Sequence, residues 1–255
     1  MHILLTNDDG IFAPGIRALC EVLSRAGHRI SVCAPDRERS AASHSATLVK
    51  PMHPRPVALP GAAQAWAVDG TPADCARLGL WLVRDDPADL VISGINKGMN
   101  MGGACIYSGT VGAAMEASMA GTQALAVSLC TFNWGGEDDF VPAARLALRV
   151  AEWAAGHPLA PGEIYSLNVP VGPYEAIKGL RPAKLAPVYL ATPEYARGED
   201  EQGECWHFRS GVPLLPMDRP DYDVVLVDQG YAVITKLTWD FRVNADDAEL
   251  GEIGL

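Results

Sequence analysis

Apolar residues come in short runs separated by helical repeats, and that alternation sets the expected architecture. Ile3-Leu4-Leu5 stops at Thr6-Asn7-Asp8-Asp9-Gly10, as a buried strand does when it delivers polar groups to its C-terminal end. Pro14 then stands where the first turn of a helix tolerates it. Ile16, Leu19, Cys20 and Leu23 recur at helical spacing, and Gly27 takes the place of a C-cap glycine. Arg29 to Ala34, closed by Pro35, reads as a second strand. This βαβ opening implies a parallel sheet with right-handed crossovers.

The pattern continues past an irregular, proline-rich stretch from Pro51 to Gly61. Ala65 to Val68 is a short strand, and Thr71-Pro72-Ala73-Asp74 reads as a capping box opening a helix through Leu82. Asp89 to Ser93 is another buried strand, ending at Gly94-Ile95-Asn96, and a glycine-rich loop runs to Tyr107. Ser108-Gly109-Thr110 precedes an Ala/Met-rich helix ending near Gly121. Leu125 to Leu129 and Tyr165 to Pro170 read as strands, with a helix from Val141 to Ala155 between them. Val224 to Val227 and Tyr231 to Leu237 read as late strands, and the acidic patch from Gly198 to Gly203 as the tip of a protruding hairpin. The expected fold is a three-layer α/β/α sandwich with a mostly parallel, Rossmann-like sheet and a C-terminal β-hairpin extension. Residues 1–180 would form the catalytic core. Residues 181–255 would form a β extension and oligomerisation segment packed on that core as one domain.

Composition narrows the function classes. A net charge of −11 argues against a nucleic-acid polymer or an anionic membrane as partner, because both are bound through Lys/Arg clusters. A small phosphorylated substrate stays open, since a local cation overrides the global field. No apolar run reaches bilayer length, and the N-terminal residues lack the charged and apolar regions of a signal peptide. Six cysteines without a CxxC spacing read as reduced core thiols, which predicts a cytoplasmic protein.

The candidate chemistry sits at strand ends. Adjacent carboxylates at Asp8 and Asp9 are unfavourable unless a cation neutralises them, and with Asn7 beside them they suit Mg²⁺ or Mn²⁺. Asn-Asp-Asp-Gly is equally good exposed-turn chemistry. Ser40 with Ser43-His44-Ser45 follows the second strand, and Ser93-Gly94-Ile95-Asn96 ends a later one. In an open parallel sheet such ends converge outside the strand carboxyl edge. Ser108-Gly109-Thr110 offers backbone N–H groups, hydroxyls and a positive helix end to a phosphate, or simple N-capping by Ser108. His44 could protonate a leaving alkoxide or serve only as a packed loop residue.

Five ordered stretches together resemble the SurE family, the stationary-phase survival proteins that act as metal-dependent 5′/3′-nucleotidases. They are Leu4 to Ile11, Ala34 to Ser40, Val68 to Cys75, Ser93 to Asn96 with Gly98 and Asn100, and Tyr107 to Ala114. The resemblance implies one divalent ion per subunit, Mg²⁺ or Mn²⁺, held by Asp8, Asp9, Ser40 and Asn96. Asp8, Asp9 and Asn96 would carry catalysis, with one of the two acids acting on the attacking water. Ser108, Gly109 and Thr110 would cradle phosphate, bordered by Asn7, Ser43, His44 and Ser45. The substrate would be a nucleoside 5′- or 3′-monophosphate, with short polyphosphate as a further candidate, and the assembly a homodimer or homotetramer. Ala104 stands where the family commonly has Asp, and Thr235-Lys236-Leu237 departs from its usual Thr-Pro-Leu.

Competing readings make different demands. A non-hydrolytic Rossmann-like nucleotide-binding module would want GxGxxG after the first strand, which Asn7 to Gly15 does not supply. A haloacid-dehalogenase-type phosphatase would want Asp-x-Asp. A non-catalytic interaction protein would use the 181–220 region.

Overall fold

The first apolar run is strand β1 (His2–Thr6), wholly buried near the middle of a nine-stranded sheet. A computed structural model describes residues 1–131, 139–187, 193–201, 203–210 and 219–239. The chain continues through α1 (Pro14–Arg25), β2 (Arg29–Pro35), β3 (Arg55–Pro56), β4 (Gln64–Val68), α2 (Pro72–Leu82) and β5 (Leu90–Lys97). Then come α3 (Gly109–Met119), β6 (Gln123–Cys130), α4 (Val141–Ala154), β7 (Glu163–Pro170) and β8 (Leu180–Pro182). The later elements are β9 (Pro193–Asp200), β10 (Gly203–Ser210), α5 (Asp223–Asp228) and β11 (Ala232–Thr238).

The order across the sheet is β3-β4-β2-β1-β5-β6-β7-β11-β8. Pairing is parallel from β4 to β7, and β11 runs antiparallel to β7. Strand alternation splits the core between two faces. Ile3 and Leu5 of β1 join Ile16, Leu19 and Leu23 of α1 and Leu146 and Val150 of α4. Leu4 joins Cys75 of α2 and Val111, Ala114 and Ala117 of α3 on the other face. The expected α/β/α layering is therefore observed. β9 and β10 form a separate antiparallel hairpin, with Gly203 opposite Asp200.

Local chemistry explains the boundaries. α2 carries the expected capping box: Thr71 Oγ1 accepts from Asp74 N, and the Asp74 carboxylate accepts from Thr71 N. Gly27 has φ 86° just beyond α1, as a C-terminal glycine should. One expectation fails. Val224 to Val227 is not a strand but the body of helix α5. A short apolar run does not distinguish strand from helix by itself. Buried Asp223 settles it by accepting from the backbone N–H groups of Val224, Ala186 and Gly102, which anchors a helix start there.

All six cysteines are free thiols, and no helix among the described residues is long and apolar enough to cross a membrane. The portions of the 181–255 extension at 188–192, 202, 211–218 and 240–255 lie outside the described residues.

Gly15, at the start of α1, touches the end of β5: a Cβ there would stand 2.1 Å from the Ile95 carbonyl oxygen. Gly15→Ala is expected to lose about 2 kcal/mol by urea denaturation, because overpacking outweighs the ~1 kcal/mol that alanine gains in a helix. Gly156→Ala, where a Cβ meets nothing nearer than 3.8 Å, should stay within about 0.5 kcal/mol of wild type.

Candidate active site

From β1 the chain moves to β2 and β4 on one side, then returns to β5, β6 and β7 on the other. The order thus reverses between β1 and β5, and ligands of open α/β sheets bind outside the strand carboxyl ends at such a point. β1 ends at Thr6, where the chain turns: Asn7 Nδ2 donates to Gly10 O at 2.8 Å, and Gly10 has φ 101°. Adjacent residues of a straight strand point to opposite faces, so this turn is what lets Asp8 and Asp9 act together.

Each acid is tied to a different neighbour. Asp8 Oδ1 accepts from Thr110 Oγ1 at 2.5 Å, and a Cβ on Gly109 would stand only 3.0 Å from the Asp8 side chain. Asp9 Oδ2 accepts from Lys97 N at 3.2 Å. The loop after β2 joins them through Arg39 N, which donates to Asp8 O at 2.7 Å. Asn96 arrives by a bulge: β5 has one more residue than β6 between the Ser93–Ala126 and Asn96–Ser128 pairs. Gly94 makes this possible, with φ 139° and Val127 O only 2.3 Å from where its Cβ would be. Asn96 Nδ2 donates to Gly98 O at 2.8 Å, which leaves its Oδ1 as the accepting end.

Burial dominates the electrostatics. It pushes the Asp8 carboxyl above its ordinary value, opposed by hydrogen bonds from Thr110. Asp9 is pushed up to about 7, first by burial and then by the Asp8 charge, with Lys97 N–H opposing. Glu38 raises both and accepts from Ser40 Oγ at 2.5 Å. Asn7 Oδ1 is buried with no hydrogen-bond partner. Among the described residues no cluster of three His, Cys, Asp or Glu side chains forms a metal site. Two carboxylates with a hydroxyl and an amide oxygen would be a donor set suited to a hard cation. Repelling acids, one buried and one partly so, beside an orphaned acceptor are what such an ion would satisfy.

The residues expected to cradle phosphate have structural duties. Ser108 Oγ caps α3 by accepting from Val111 N at 3.0 Å and keeps its own proton to donate. Thr110 Oγ1 is directed at Asp8, and Gly109 is buried at the helix start against Asp8 and Pro72. Ser43 N and Oγ bond Tyr107 O and Ile106 O, and Ser45 O accepts from Thr71 Oγ1, so this loop borders the mouth of α3. His44 turns to Glu116, with Nε2 2.8 Å from Oε2.

Several contributors have no sequence signal. Glu38 and Lys97 act through proximity that only the folded loops create. The glycine-rich loop is pinned from below: Asn100 N donates to Asn168 Oδ1 at 2.9 Å, and Gly102 N to Asp223 Oδ2 at 2.8 Å. Asn168 and Asp223 belong to distant segments, and neither stands out as a site residue by type or spacing.

Comparison with known proteins identifies the family. Residues 3–191 match the family model described as survival protein SurE. A protein of Synechococcus sp. (strain JA-3-3Ab) named 5′-nucleotidase SurE is 41% identical, covering 100% of this chain and 98% of its own. One of the same name from Gloeobacter violaceus is 40% identical over 98% of this chain and 95% of its own. The crystal structure of a SurE protein from Aquifex aeolicus superposes with a TM-score of 0.84 at 29% identity, covering 99% of each chain. A family match over most of the length and relatives aligned end to end establish that the chain belongs to the SurE family.

Proposed function

We propose that this chain is a divalent-metal-dependent phosphomonoesterase hydrolysing nucleoside 5′- and 3′-monophosphates, with short polyphosphate as a further substrate. The observation that carries the reading is the Asp8–Asp9 pair, Asp8 buried against the N-terminus of α3 and Asp9 partly buried, both acids raised by burial and Asp9 also by the Asp8 charge. The relatives' shared name, 5′-nucleotidase SurE, supports the 5′ assignment.

One Mg²⁺ or Mn²⁺ per subunit would be held by Asp8, Asp9, Ser40 and Asn96. When bound, it supplies charge neutralisation at the phosphoryl group and a lowered pKa for its water. Thr110 holds Asp8 in one orientation. Asp9 is the less buried acid, held by a longer hydrogen bond, so it is the candidate to orient and deprotonate the attacking water. Asn96, whose Nδ2 is taken by Gly98 O, would offer its Oδ1 to the ion. Ser108, Gly109 and Thr110 bind phosphoryl oxygens through N–H, hydroxyl and helix dipole, which counts because charge on those oxygens is what phosphoryl transfer must stabilise. We assign residues 1–180 to catalysis and 181–255 to assembly of a homodimer or homotetramer, supported by the exposed Tyr195 and Trp206 of the hairpin. The free thiols support a cytoplasmic location.

A phosphomonoester panel should show no turnover after chelation and recovery with Mg²⁺ or Mn²⁺. Asp8→Asn should lower turnover more than about a hundredfold, since removing even an outer partner of a metal ligand costs 10- to 100-fold. Its metal-free melting temperature should match or exceed wild type, because a buried charge is gone. Wild-type turnover in that variant would remove the metal-site reading.

Asp9 also sets a pH dependence. Its folded pKa of about 7 lies above 3.8, so the fold holds a proton that the unfolded chain releases. Through this group, metal-free stability is greatest at low pH and falls as pH rises from about 4 to about 7. A cation replacing that proton stabilises most above the window. Thermal melts should show a larger Mn²⁺-induced shift at pH 8 than at pH 5, and equal shifts would contradict the assignment.

A further inference from the structure

The loop after β2 crosses the first turn of α3 so closely that only glycine fits beneath it. A Cβ on Gly112 would stand 2.6 Å from Ser43 O and 3.0 Å from His44 Cα. Two non-glycine residues of this loop hold left-handed conformations, Ala41 at φ 55° and Ser43 at φ 53°. Such geometry persists only where surrounding contacts over-determine it.

Most of those contacts are single hydrogen bonds to or from backbone, such as Ser43 N to Tyr107 O at 3.0 Å. His44 makes a different one. Its Nε2 meets Glu116 Oε2 at 2.8 Å, and Glu116 lies one helical turn beyond Gly112 on the same side of α3. Only 5% of Glu116 is exposed, and its other oxygen accepts from Arg77 Nε of α2 at 2.7 Å. A carboxylate only accepts, so Nε2 carries the shared proton and is committed to the helix. Ser40, the proposed hydroxyl ligand, begins this stretch, and its Oγ donates to Glu38 Oε1.

We propose that His44 is a positioning residue: the Arg77–Glu116–His44 chain anchors the strained Ser40–Ser45 loop to α3 and so fixes where Ser40 stands for metal binding. Protonation of the leaving group is not its task. This rests on the metal-dependent reading above.

The test uses chelator-stripped wild type, His44→Ala, Glu116→Gln and the double variant. Mn²⁺ binding is measured by calorimetry, and hydrolysis is followed for a nucleoside 5′-monophosphate and for p-nitrophenyl phosphate, whose leaving group needs no acid. His44→Ala, a half-exposed site, should weaken Mn²⁺ binding about tenfold, as loss of a ligand's supporting partner does. It should slow both esters by the same factor at limiting Mn²⁺, with kcat recovering at saturation. The double variant should bind Mn²⁺ no more weakly than the weaker single one. Unchanged Mn²⁺ affinity, additive losses, or slow nucleotide hydrolysis with p-nitrophenyl phosphate spared would each overturn the proposal. If wild type binds Mn²⁺ but hydrolyses neither ester, the nucleotidase reading falls, and the anchor is decided by the Mn²⁺ series alone. A wild type that binds no Mn²⁺ overturns both.

Discussion

Two carboxylates, adjacent in the chain, one buried and one partly buried, repel each other at the end of β1, and the surrounding structure is arranged around that repulsion. Thr110 donates to Asp8, and the backbone N–H of Lys97 donates to Asp9. These bonds oppose the effect of burial without cancelling it, since both acids remain raised. Glu38 adds a further negative group instead of relieving the strain. A positive partner would relieve such an arrangement, and the proposed oxygen ligands would suit a hard divalent ion.

Topology is what brings the pieces together. β1 lies between β2 and β5, so the loops leaving all three strands emerge on one edge of the sheet. Glycine then removes the remaining obstacles. Gly94 permits the bulge that brings Asn96 to the edge, Gly109 lets Asp8 reach the α3 mouth, and Gly112 lets the serine loop lie across that helix. The site is thus a consequence of close backbone approach, and its glycines are as structural as its acids are chemical.

Much of this was legible in the chain itself. β1 ends where the apolar run meets carboxylates, α2 begins on the Thr71–Asp74 capping box, and α1 lies between Pro14 and Gly27. These features depend on local chemistry, which sequence carries directly. The helix at Asp223–Asp228 was not legible, because its start is fixed by N–H groups of Gly102 and Ala186, far away in sequence. Glu38, Glu116 and Arg77 were missed as contributors for the same reason. Each is an ordinary surface-type residue until the fold gives it a partner.

The central claim is that one cation sits between the twin acids and the bulged end of β5. Anomalous scattering at the manganese edge, from crystals equilibrated with Mn²⁺, tests it most directly. One strong peak should appear at about 2.0–2.4 Å from carboxylate oxygens of Asp8 and Asp9, with Asn96 and Ser40 completing the shell. A peak elsewhere, or none at this position with the metal present in excess, would contradict the account.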